Sequence, residues 1–241
     1  MSNNTRRSDD RSAKLAEEPR DFFMTLRDVA FWIRSARADA ALARHRTTAT
    51  AGEAFDRLYR STDDPYGTAL PQFRYQRRKY RALLSILPKR LYGDVLDIGC
   101  GLGVFSRALA PHAERVLGID VSPSAVSQAR LLSGGFVNLH FEQGDIQSFD
   151  SPRQFSLVVL ADVIYYLPTL TDVSVQAIAA KLTALLDPGG LLLLVNHFFF
   201  AVDPPSRMTR RIHNAFRASS DLAVVSEHRR AFYLATVLER R

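Results

Sequence analysis

A short apolar run that gives way to alternating glycines, between Val95 and Gly103, constrains this chain more than any other feature. The residues Val-Leu-Asp-Ile predict a buried strand, and the following Gly-Cys-Gly-Leu-Gly predicts a tight turn that leads into a helix. Glycine reaches backbone conformations closed to other residues and lets a ligand approach bare peptide groups. Gly99, Gly101 and Gly103 therefore predict a cofactor cradle, and Asp97 stands just before it, where it can meet a positive group.

The spacing of the glycines separates the nucleotide-binding families. A dinucleotide fingerprint needs another glycine three residues after Gly101, and Val104 holds that position. A phosphate-binding loop of the ATP type needs a lysine followed by Ser or Thr, and the residues after Gly103 are Val-Phe-Ser. The turn therefore favours S-adenosyl-L-methionine over a dinucleotide or ATP.

The composition is that of an ordinary globular protein with one main domain, since 46% of its 241 residues are hydrophobic and 24% are charged. Its single cysteine, Cys100, cannot form an internal disulfide and is expected to be a small buried filler in the turn. Residues 1–20 are polar, unlike a secretory signal, and the longest apolar run, 191–202, is interrupted and too short to span a bilayer. We therefore expect a cytoplasmic protein without a membrane segment.

The net charge of +7 raises a nucleic-acid hypothesis. Much of the excess lies in residues 70–93, which contain no acid, and the rest gathers in the C-terminal arm. A solvated basic helix face explains the same pattern, and the chain carries no RNA-binding motif. Nucleic acid stays open as a less favoured partner.

The N-terminal part of the chain divides into two segments. Residues 1–20 are rich in Ser, Asn, Arg and Asp and are expected to be disordered. Residues 21–91 are expected to form a helical extension and lid, with an amphipathic helix over 21–46, a helix from Glu53 and a very basic helix over 72–87. The first helix has an apolar stripe that is expected to be buried. Its members are Phe22, Leu26, Val29, Trp32, Ile33, Ala36 and Ala40.

Residues 92–241 form the main domain, in which predicted strands alternate with helices. Five short apolar runs predict strands buried on both faces of a mainly parallel sheet, and the tail predicts an antiparallel hairpin at its edge. The strands are expected at 94–98, 115–119, 138–142, 155–161 and 191–195, and the hairpin strands at 222–225 and 231–238. The predicted fold class is therefore α/β, with a seven-stranded sheet, helices on both of its faces and the helical lid above it.

Two further aspartates follow predicted strands. Asp120 ends the second strand, where a carboxylate can accept both hydroxyls of a ribose; its alternative role is to cap the next helix. Asp145 follows the third strand, where it can accept an adenine amino group while the N–H of Ile146 meets a ring nitrogen; its alternative is a turn aspartate. With Asp97, these acids lie at the carboxyl ends of three successive strands.

This ordered series of acids resembles the class I S-adenosyl-L-methionine-dependent methyltransferases, from about Asp94 to Gly190. The resemblance implies a Rossmann-like fold, S-adenosyl-L-methionine as cofactor and transferase activity. It also implies that Asp97 lies near the methionine amino group, that Asp120 holds the ribose and that Asp145 contacts the adenine.

Four segments extend the resemblance to the nodulation protein S group, whose members N-methylate the free amine of a deacetylated chitooligosaccharide. These segments are Phe55–Arg60, Asp63–Tyr66, Tyr75–Lys79 and Ala161–Leu167. By this resemblance, Tyr59, Tyr66, Tyr75 and Arg78 close over the cofactor or line a sugar cleft.

The chain also departs from the pattern of that group, which leaves the identity of the acceptor open. Asp97 and Asp162 stand in place of glutamates, and Tyr66 stands in place of a tryptophan. The turn, the acids and the two resemblances together give one set of expected cofactor-binding residues. The set is Tyr59, Arg78, Asp97, Gly99, Cys100, Gly101, Gly103, Asp120, Val121, Asp145, Ile146 and Ala161.

Methyl transfer from a sulfonium is an in-line displacement, so positioning supplies most of the acceleration, but an ammonium acceptor must first lose a proton. Asp162, after the fourth strand, is expected to orient an amine, although a carboxylate also stabilises the protonated form. His197, after the fifth strand, is expected to act as a base, since the unperturbed pKa of histidine suits proton transfer; its alternative is a histidine at the rim of the cleft without a catalytic role. Tyr166 and Tyr165 are expected to offer an aromatic wall, and His213 to line the acceptor cleft. No metal site is expected.

Three functions stay open at this point. The favoured one is methyl transfer to an amine or hydroxyl of a small molecule, aminosugar or oligosaccharide. A nucleic-acid methyltransferase is the alternative, although the Asn/Asp-Pro-Pro-aromatic element typical of exocyclic-amine methylases is missing after the fourth strand. The third is a regulatory module that binds the cofactor without turnover. The oligomeric state and the role of the N-terminal extension stay open as well.

Overall fold

The computed structural model describes residues 26–167, 170–199, 203–230 and 232–241. The predicted disorder of residues 1–20 and the predicted first turns of the long helix, with Asp21 and Phe22, lie outside the described residues. Among the helices that are described, none has both the length and the hydropathy needed to cross a membrane.

Three helices precede the sheet, as the helical periodicity predicts: α1 (Leu26–Arg46), α2 (Ala51–Ser61) and α3 (Arg74–Ile86). A capping box starts α2, because the Thr50 side chain accepts a hydrogen bond from the Glu53 N–H and Glu53 bonds the Thr50 N–H in return. The end of α3 falls two residues before Pro88, which cannot continue a helix.

Seven strands form one sheet in the order β3-β2-β1-β4-β5-β7-β6. The strands are β1 (Tyr92–Ile98), β2 (Ala113–Asp120), β3 (Leu139–Gln143), β4 (Phe155–Ala161), β5 (Leu186–His197), β6 (Leu222–Arg229) and β7 (Tyr233–Arg240), and the α-helices between them are α4 (Val104–Leu109), α5 (Pro123–Leu132), α6 (Asp172–Ala184) and α7 (Pro204–Arg217). β1 to β5 are parallel, whereas β7 runs antiparallel to both of its neighbours. The predicted α/β sheet with an antiparallel edge hairpin is confirmed.

Both faces of the sheet are buried, because alternate residues of its central strands enter two different apolar layers. Val95 of β1 and Val159 of β4 pack in one layer with Phe105 of α4. Leu96 of β1 and Val158 of β4 pack in the opposite layer, which includes residues of α6 and α7. This packing fixes the strand register, so that the carboxyl ends of the parallel strands share one edge.

The buried stripe predicted for α1 is wrong in its position around the helix. Val29 and Ile33 are exposed, whereas Phe31, Ala38 and Leu42 are buried. The physical reason is that α1 packs against α2 and α3, and apolar residues occupy both sides of the helix, so periodicity alone does not identify the covered side. Trp32 is half-buried and lies against aromatic side chains.

A buried carboxylate fastens α2 to the main domain. Asp56 accepts hydrogen bonds from the Ser122 hydroxyl at 3.2 Å and from the Ser124 N–H at 2.9 Å, both at the start of α5. An acid at a helix N-terminus is favourable because the first N–H groups of the helix have no partner within it. α2 is thereby held over the edge where β1 and β2 end.

His213 does not line a cleft, which corrects the expectation from the sequence. It is 1% exposed on α7, where its Nδ1 lies 2.7 Å from Thr236 Oγ1 and its Nε2 donates to Asn196 Oδ1 at 3.2 Å. The reason is helix geometry: α7 packs this side against β5 and β7, so the ring satisfies neighbouring polar groups of the core. Burial, reinforced by the positive charge of Arg217, lowers the pKa of His213 to about 3.

The buried His213 makes folding stability depend on pH. In the unfolded chain its pKa is near the ordinary 6.5, so below that value protons bind preferentially to the unfolded state. We predict that the free energy of unfolding falls as the pH decreases from 6.5 towards 3, and that His213→Asn flattens this dependence in urea titrations. His140→Asn, at an exposed position, is the matched control. Equal pH dependence in wild type and His213→Asn would contradict the assignment.

Candidate functional site

A cavity of about 800 Å³ lies at the edge where the parallel strands end, beneath α1, α2 and α3. Its floor comes from the turn after β1 and the residues that follow β2, β3 and β4, and its cover comes from the N-terminal helices. Ligands of open α/β sheets bind at this edge, because the loops there are free to carry functional groups. Most of the residues that the sequence singles out meet here.

The glycine turn forms the centre of the floor. The N–H groups of Gly99 and Cys100 both donate to the carbonyl of Ile119, at 2.8 and 3.0 Å, which ties the turn to β2. Gly101 has a φ of +51°, and a Cβ placed there would lie 2.9 Å from the hydroxyl of Tyr59, a residue of α2. A side chain at position 101 is therefore disfavoured by both the backbone conformation and the neighbouring tyrosine.

Asp120 is locked against this turn. One carboxylate oxygen accepts the Gly101 N–H at 2.9 Å, and the other accepts the Ser122 N–H at 2.9 Å. Burial raises its pKa, and the two N–H bonds oppose that effect. The side chain lines the cavity beside Val121. It combines a fixed position with acceptor capacity, as a pair of ligand hydroxyls would require.

The third acid, Asp145, lines the cavity together with Ile146, as the sequence predicts. Its side chain accepts the N–H of Gln147 at 2.8 Å, and its carbonyl accepts the N–H of Phe149 at 2.6 Å. The predicted turn role and the predicted position in the site therefore coexist. The local bonds hold the carboxylate just after β3, in the cavity that the glycine turn also lines.

Three residues of the expected cofactor set do not line the cavity. Gly103 packs against β3, since a Cβ there would stand 2.4 Å from the Phe141 ring. Asp97 is buried behind the turn and accepts a hydrogen bond from the Ser106 hydroxyl at 2.5 Å, so it joins β1 to α4. Arg78 is exposed on α3 because the helix turns its neighbour Lys79 towards the cavity instead.

The environment of Asp97 also differs from that of a solvated acid. Burial raises its pKa to about 7, the charge of Asp120 acts in the same direction, and the Ser106 hydroxyl opposes the shift. Asp97 is therefore a buried link between β1 and α4 in this structure.

Asp162, at the end of β4, is one of the three expected catalytic residues, and it lines the cavity. Its φ of +59° is the only positive value among the described non-glycine residues, and its N–H donates to the carbonyl of Val195 at 2.8 Å. The ammonium group of Lys79, on α3, forms an ion pair with its carboxylate. Only 3% of the Lys79 side chain is exposed, against 29% for Asp162. The acid is thus held by the sheet on one side and by the lid on the other.

His197, the second expected catalytic residue, lines the same cavity at the end of β5. Its ring stands edge-on to that of Trp32, with centroids 5.6 Å apart, and the Thr209 hydroxyl donates to its carbonyl at 2.6 Å. Burial lowers the pKa of His197, and the charge of Asp162 partly offsets this effect. The imidazole is therefore neutral at physiological pH and able to accept a proton.

Aromatic side chains form the remaining wall. Tyr166, the third expected catalytic residue, donates its hydroxyl to Asp39 of α1 at 2.9 Å and packs on Phe55 and Tyr165. Trp32 lies 5.2 Å from Tyr75 and 5.0 Å from Phe232, measured between ring centroids. Burial raises the pKa of Asp39, and the Tyr166 hydroxyl opposes the shift. This wall suits a ring or a cation more than an extended polar chain.

Sequence reasoning missed several cavity residues. Lys79 lies within a motif that the sequence analysis singles out, and the signal was its helical phase relative to Tyr75, one turn earlier. Asp39 and Phe232 carry no local signal, since they reach the site only through the packing of α1 and the edge hairpin. Tyr66 and Tyr75 line the cavity as the resemblance implies.

The described part of the chain contains no group of His, Cys, Asp and Glu side chains arranged to hold a metal ion.

Comparisons with known proteins agree with this architecture. At 22% identity, the structure of the N-methyltransferase NodS from Bradyrhizobium japonicum WM9, solved with S-adenosyl-L-homocysteine, matches 86% of this chain and 98% of its own, with a TM-score of 0.63. At that level of identity the match supports the fold, which is the one predicted.

Curated relatives are more similar in sequence. The nodulation protein S of Bradyrhizobium diazoefficiens is 35% identical over 136 residues, which cover 55% of this chain and 62% of that protein. The nodulation protein S of Rhizobium tropici is 32% identical over 133 residues, 55% of each chain. The matched region thus spans between about half and two thirds of these relatives.

The sequence profile described as nodulation protein S matches residues 52–230, which include all of α2 except its first residue, α3, the glycine turn and the parallel strands β1 to β5. The chain therefore belongs to the nodulation protein S family.

Proposed function

We propose that this chain is an S-adenosyl-L-methionine-dependent methyltransferase that acts on an amine or hydroxyl of a small molecule, an aminosugar or an oligosaccharide. One observation carries the proposal: a bare peptide turn locked by Asp120 opens into the same cavity as Asp162 and His197. A cofactor half and an acceptor half thus face each other. The family and the methyltransferase relatives support the same reading.

The floor residues fit this cofactor. Gly99 and Gly101 line the cavity without a side chain of their own, Asp120 offers carboxylate oxygens to a ribose, and Asp145 with Ile146 is proposed to border the adenine. When bound, the cofactor supplies a methyl group bonded to a sulfonium sulfur. The sulfur is a good leaving group, so the methyl carbon is open to displacement. The role proposed for these residues is to fix the direction in which the methyl group points. Tyr59, on α2, lies over the turn.

The opposite half supplies the acceptor chemistry. Asp162 and His197 both line the cavity; the role proposed for Asp162 is to orient the nucleophilic group, and that proposed for the neutral His197 is to accept a proton from it. The aromatic wall that contains Tyr166 and Trp32 excludes water and presents ring faces to a sugar or an amine. Positioning by these groups accounts for most of the proposed acceleration, because the displacement needs no activated protein nucleophile.

The proposed acceptor agrees with the name of a structural relative, an N-methyltransferase. The acceptor of this chain, its N- or O-selectivity and its cytoplasmic location belong to the proposal. The basic residues of α3 other than Lys79 are exposed, which favours a solvated helix face over a nucleic-acid channel continuous with the site.

The glycine turn gives the first prediction. Gly101→Val places a side chain where the Tyr59 hydroxyl stands and where φ is +51°, so we expect binding of S-adenosyl-L-homocysteine to fall below detection in calorimetry. Gly135→Val is the matched control, since a Cβ at Gly135 meets no atom within 4 Å. Unchanged affinity in Gly101→Val, with the fold intact by circular dichroism, would refute the cradle.

The ribose role of Asp120 gives the second prediction. Asp120→Ala is expected to weaken S-adenosyl-L-homocysteine binding by about 1–3 kcal/mol, the scale of a hydrogen bond to a charged group. The exposed Glu142→Ala, at the end of the neighbouring strand, is the control. Binding of Asp120→Ala equal to that of wild type would refute the ribose role of this carboxylate.

The acceptor class is tested with a cofactor that carries a labelled methyl group. The protein is incubated with fully acetylated chitooligosaccharides, partly deacetylated ones, small amines, small phenols and tRNA, and label transfer is measured for each. We expect label in an amine- or hydroxyl-bearing small molecule or in the deacetylated sugars. Label that enters tRNA alone would overturn the proposal, and no transfer to any acceptor while the cofactor binds would favour a regulatory module.

A further inference from the structure

An ion pair between the lid and the sheet stands at the acceptor end of the cavity. The Lys79 ammonium comes from α3, and the Asp162 carboxylate follows β4. The Lys79 side chain is almost fully buried, and its Nζ also lies over the Tyr233 ring, 5.3 Å from the centroid. Removing a lysine ammonium from water costs free energy, and a buried ion pair adds little net stability. The pair is therefore better explained by a role in the site than by folding stability.

The reason lies in a conflict built into the proposed reaction. An amine attacks a methyl group only with a free lone pair, and at neutral pH most amines are protonated. A carboxylate beside the amine orients it but also stabilises the ammonium form, which cannot react. An acid alone at the position of Asp162 would therefore bind the acceptor in its unreactive state.

We propose that Lys79 is a positioning residue that neutralises Asp162, so that the carboxylate orients an acceptor amine by hydrogen bonding without holding it as an ammonium. The inference rests on the proposed methyltransferase function and concerns the same site. With the charge of Asp162 balanced, the apolar surroundings favour an uncharged nucleophile. Asp162 also has a positive φ, of +59°, at the point where it pairs with the lid lysine.

Other charged and titratable groups around the pair are consistent with this role. From β5, His197 faces the pair and is neutral because burial lowers its pKa. From α1, Asp39 lines the cavity, and the hydroxyl of Tyr166 bonds it. Tyr165 beside β4 and Tyr233 of β7 also lie within the electrostatic reach of Asp162, and burial raises the pKa of both phenols, so they are uncharged. At the start of α7, Asp203 acts on His197.

The test compares a neutral and a cationic probe of the same shape. Benzyl alcohol and benzylammonium share the ring that the aromatic wall accommodates, and at pH 7.5 they differ in charge. Trp32 is the only tryptophan in the chain and lines the cavity, so its fluorescence reports binding directly. The protein is saturated with S-adenosyl-L-homocysteine, and the binding of that ligand is measured separately by calorimetry.

We expect wild type to prefer benzyl alcohol. Lys79→Met, which keeps the length of the side chain but removes the charge, is expected to shift the preference towards benzylammonium by about tenfold or more, because an unpaired carboxylate then faces the probe. Lys79→Arg keeps the wild-type preference. The double variant Lys79→Met with Asp162→Asn is neutral again and returns to the wild-type preference, a result that a merely structural lysine does not produce. Arg81→Met, at an exposed position of α3, is the control.

An equal preference in wild type and Lys79→Met contradicts the inference. So does a failure of both probes to change Trp32 fluorescence in either protein while S-adenosyl-L-homocysteine binds. If Lys79→Met does not fold, Asp162→Asn carries the test: it leaves Lys79 unpaired and is expected to weaken benzylammonium binding while benzyl alcohol binds as before. If wild type does not bind S-adenosyl-L-homocysteine, the proposed function is contradicted. Failure of the proposed function is thus distinguished from failure of the inference about Lys79.

Discussion

The bond between the Asp120 carboxylate and the Gly101 N–H is the interaction on which the site depends. It joins the end of β2 to the glycine turn after β1, and the second oxygen of the same carboxylate holds the start of α5 through Ser122. One buried acid therefore fixes the turn and the first residues of the following helix. At Gly101, the positive φ and the nearby Tyr59 hydroxyl leave no room for a side chain.

The second half of the site depends on helices that precede the sheet. Asp56 fastens α2 to the start of α5, and Lys79 of α3 pairs with Asp162 after β4. α1 adds Trp32 and Asp39 to the wall. The sheet thus provides the half suited to a nucleoside, whereas the lid provides much of the half suited to an acceptor.

The sequence predicted the sheet well, because strands buried on both faces produce continuous apolar runs that few other structures produce. It located Asp120, Asp145 and Asp162 because each of them lies where an apolar run ends, and the end of such a run predicts the end of a strand. It failed where packing decides between neighbours. Arg78 and Lys79 are both basic, and only the docked phase of α3 shows that the lysine faces inward.

The same limit applies to side chains whose role depends on a distant element. His213 resembles a cleft residue until the contacts of α7 place it between Asn196 and Thr236. Gly103 resembles part of the cradle until Phe141 is seen to fill its space. The most direct measurement of the central claim is a crystal structure with S-adenosyl-L-homocysteine. The account predicts the nucleoside along the glycine turn with its ribose hydroxyls on Asp120; a ligand bound elsewhere would contradict it.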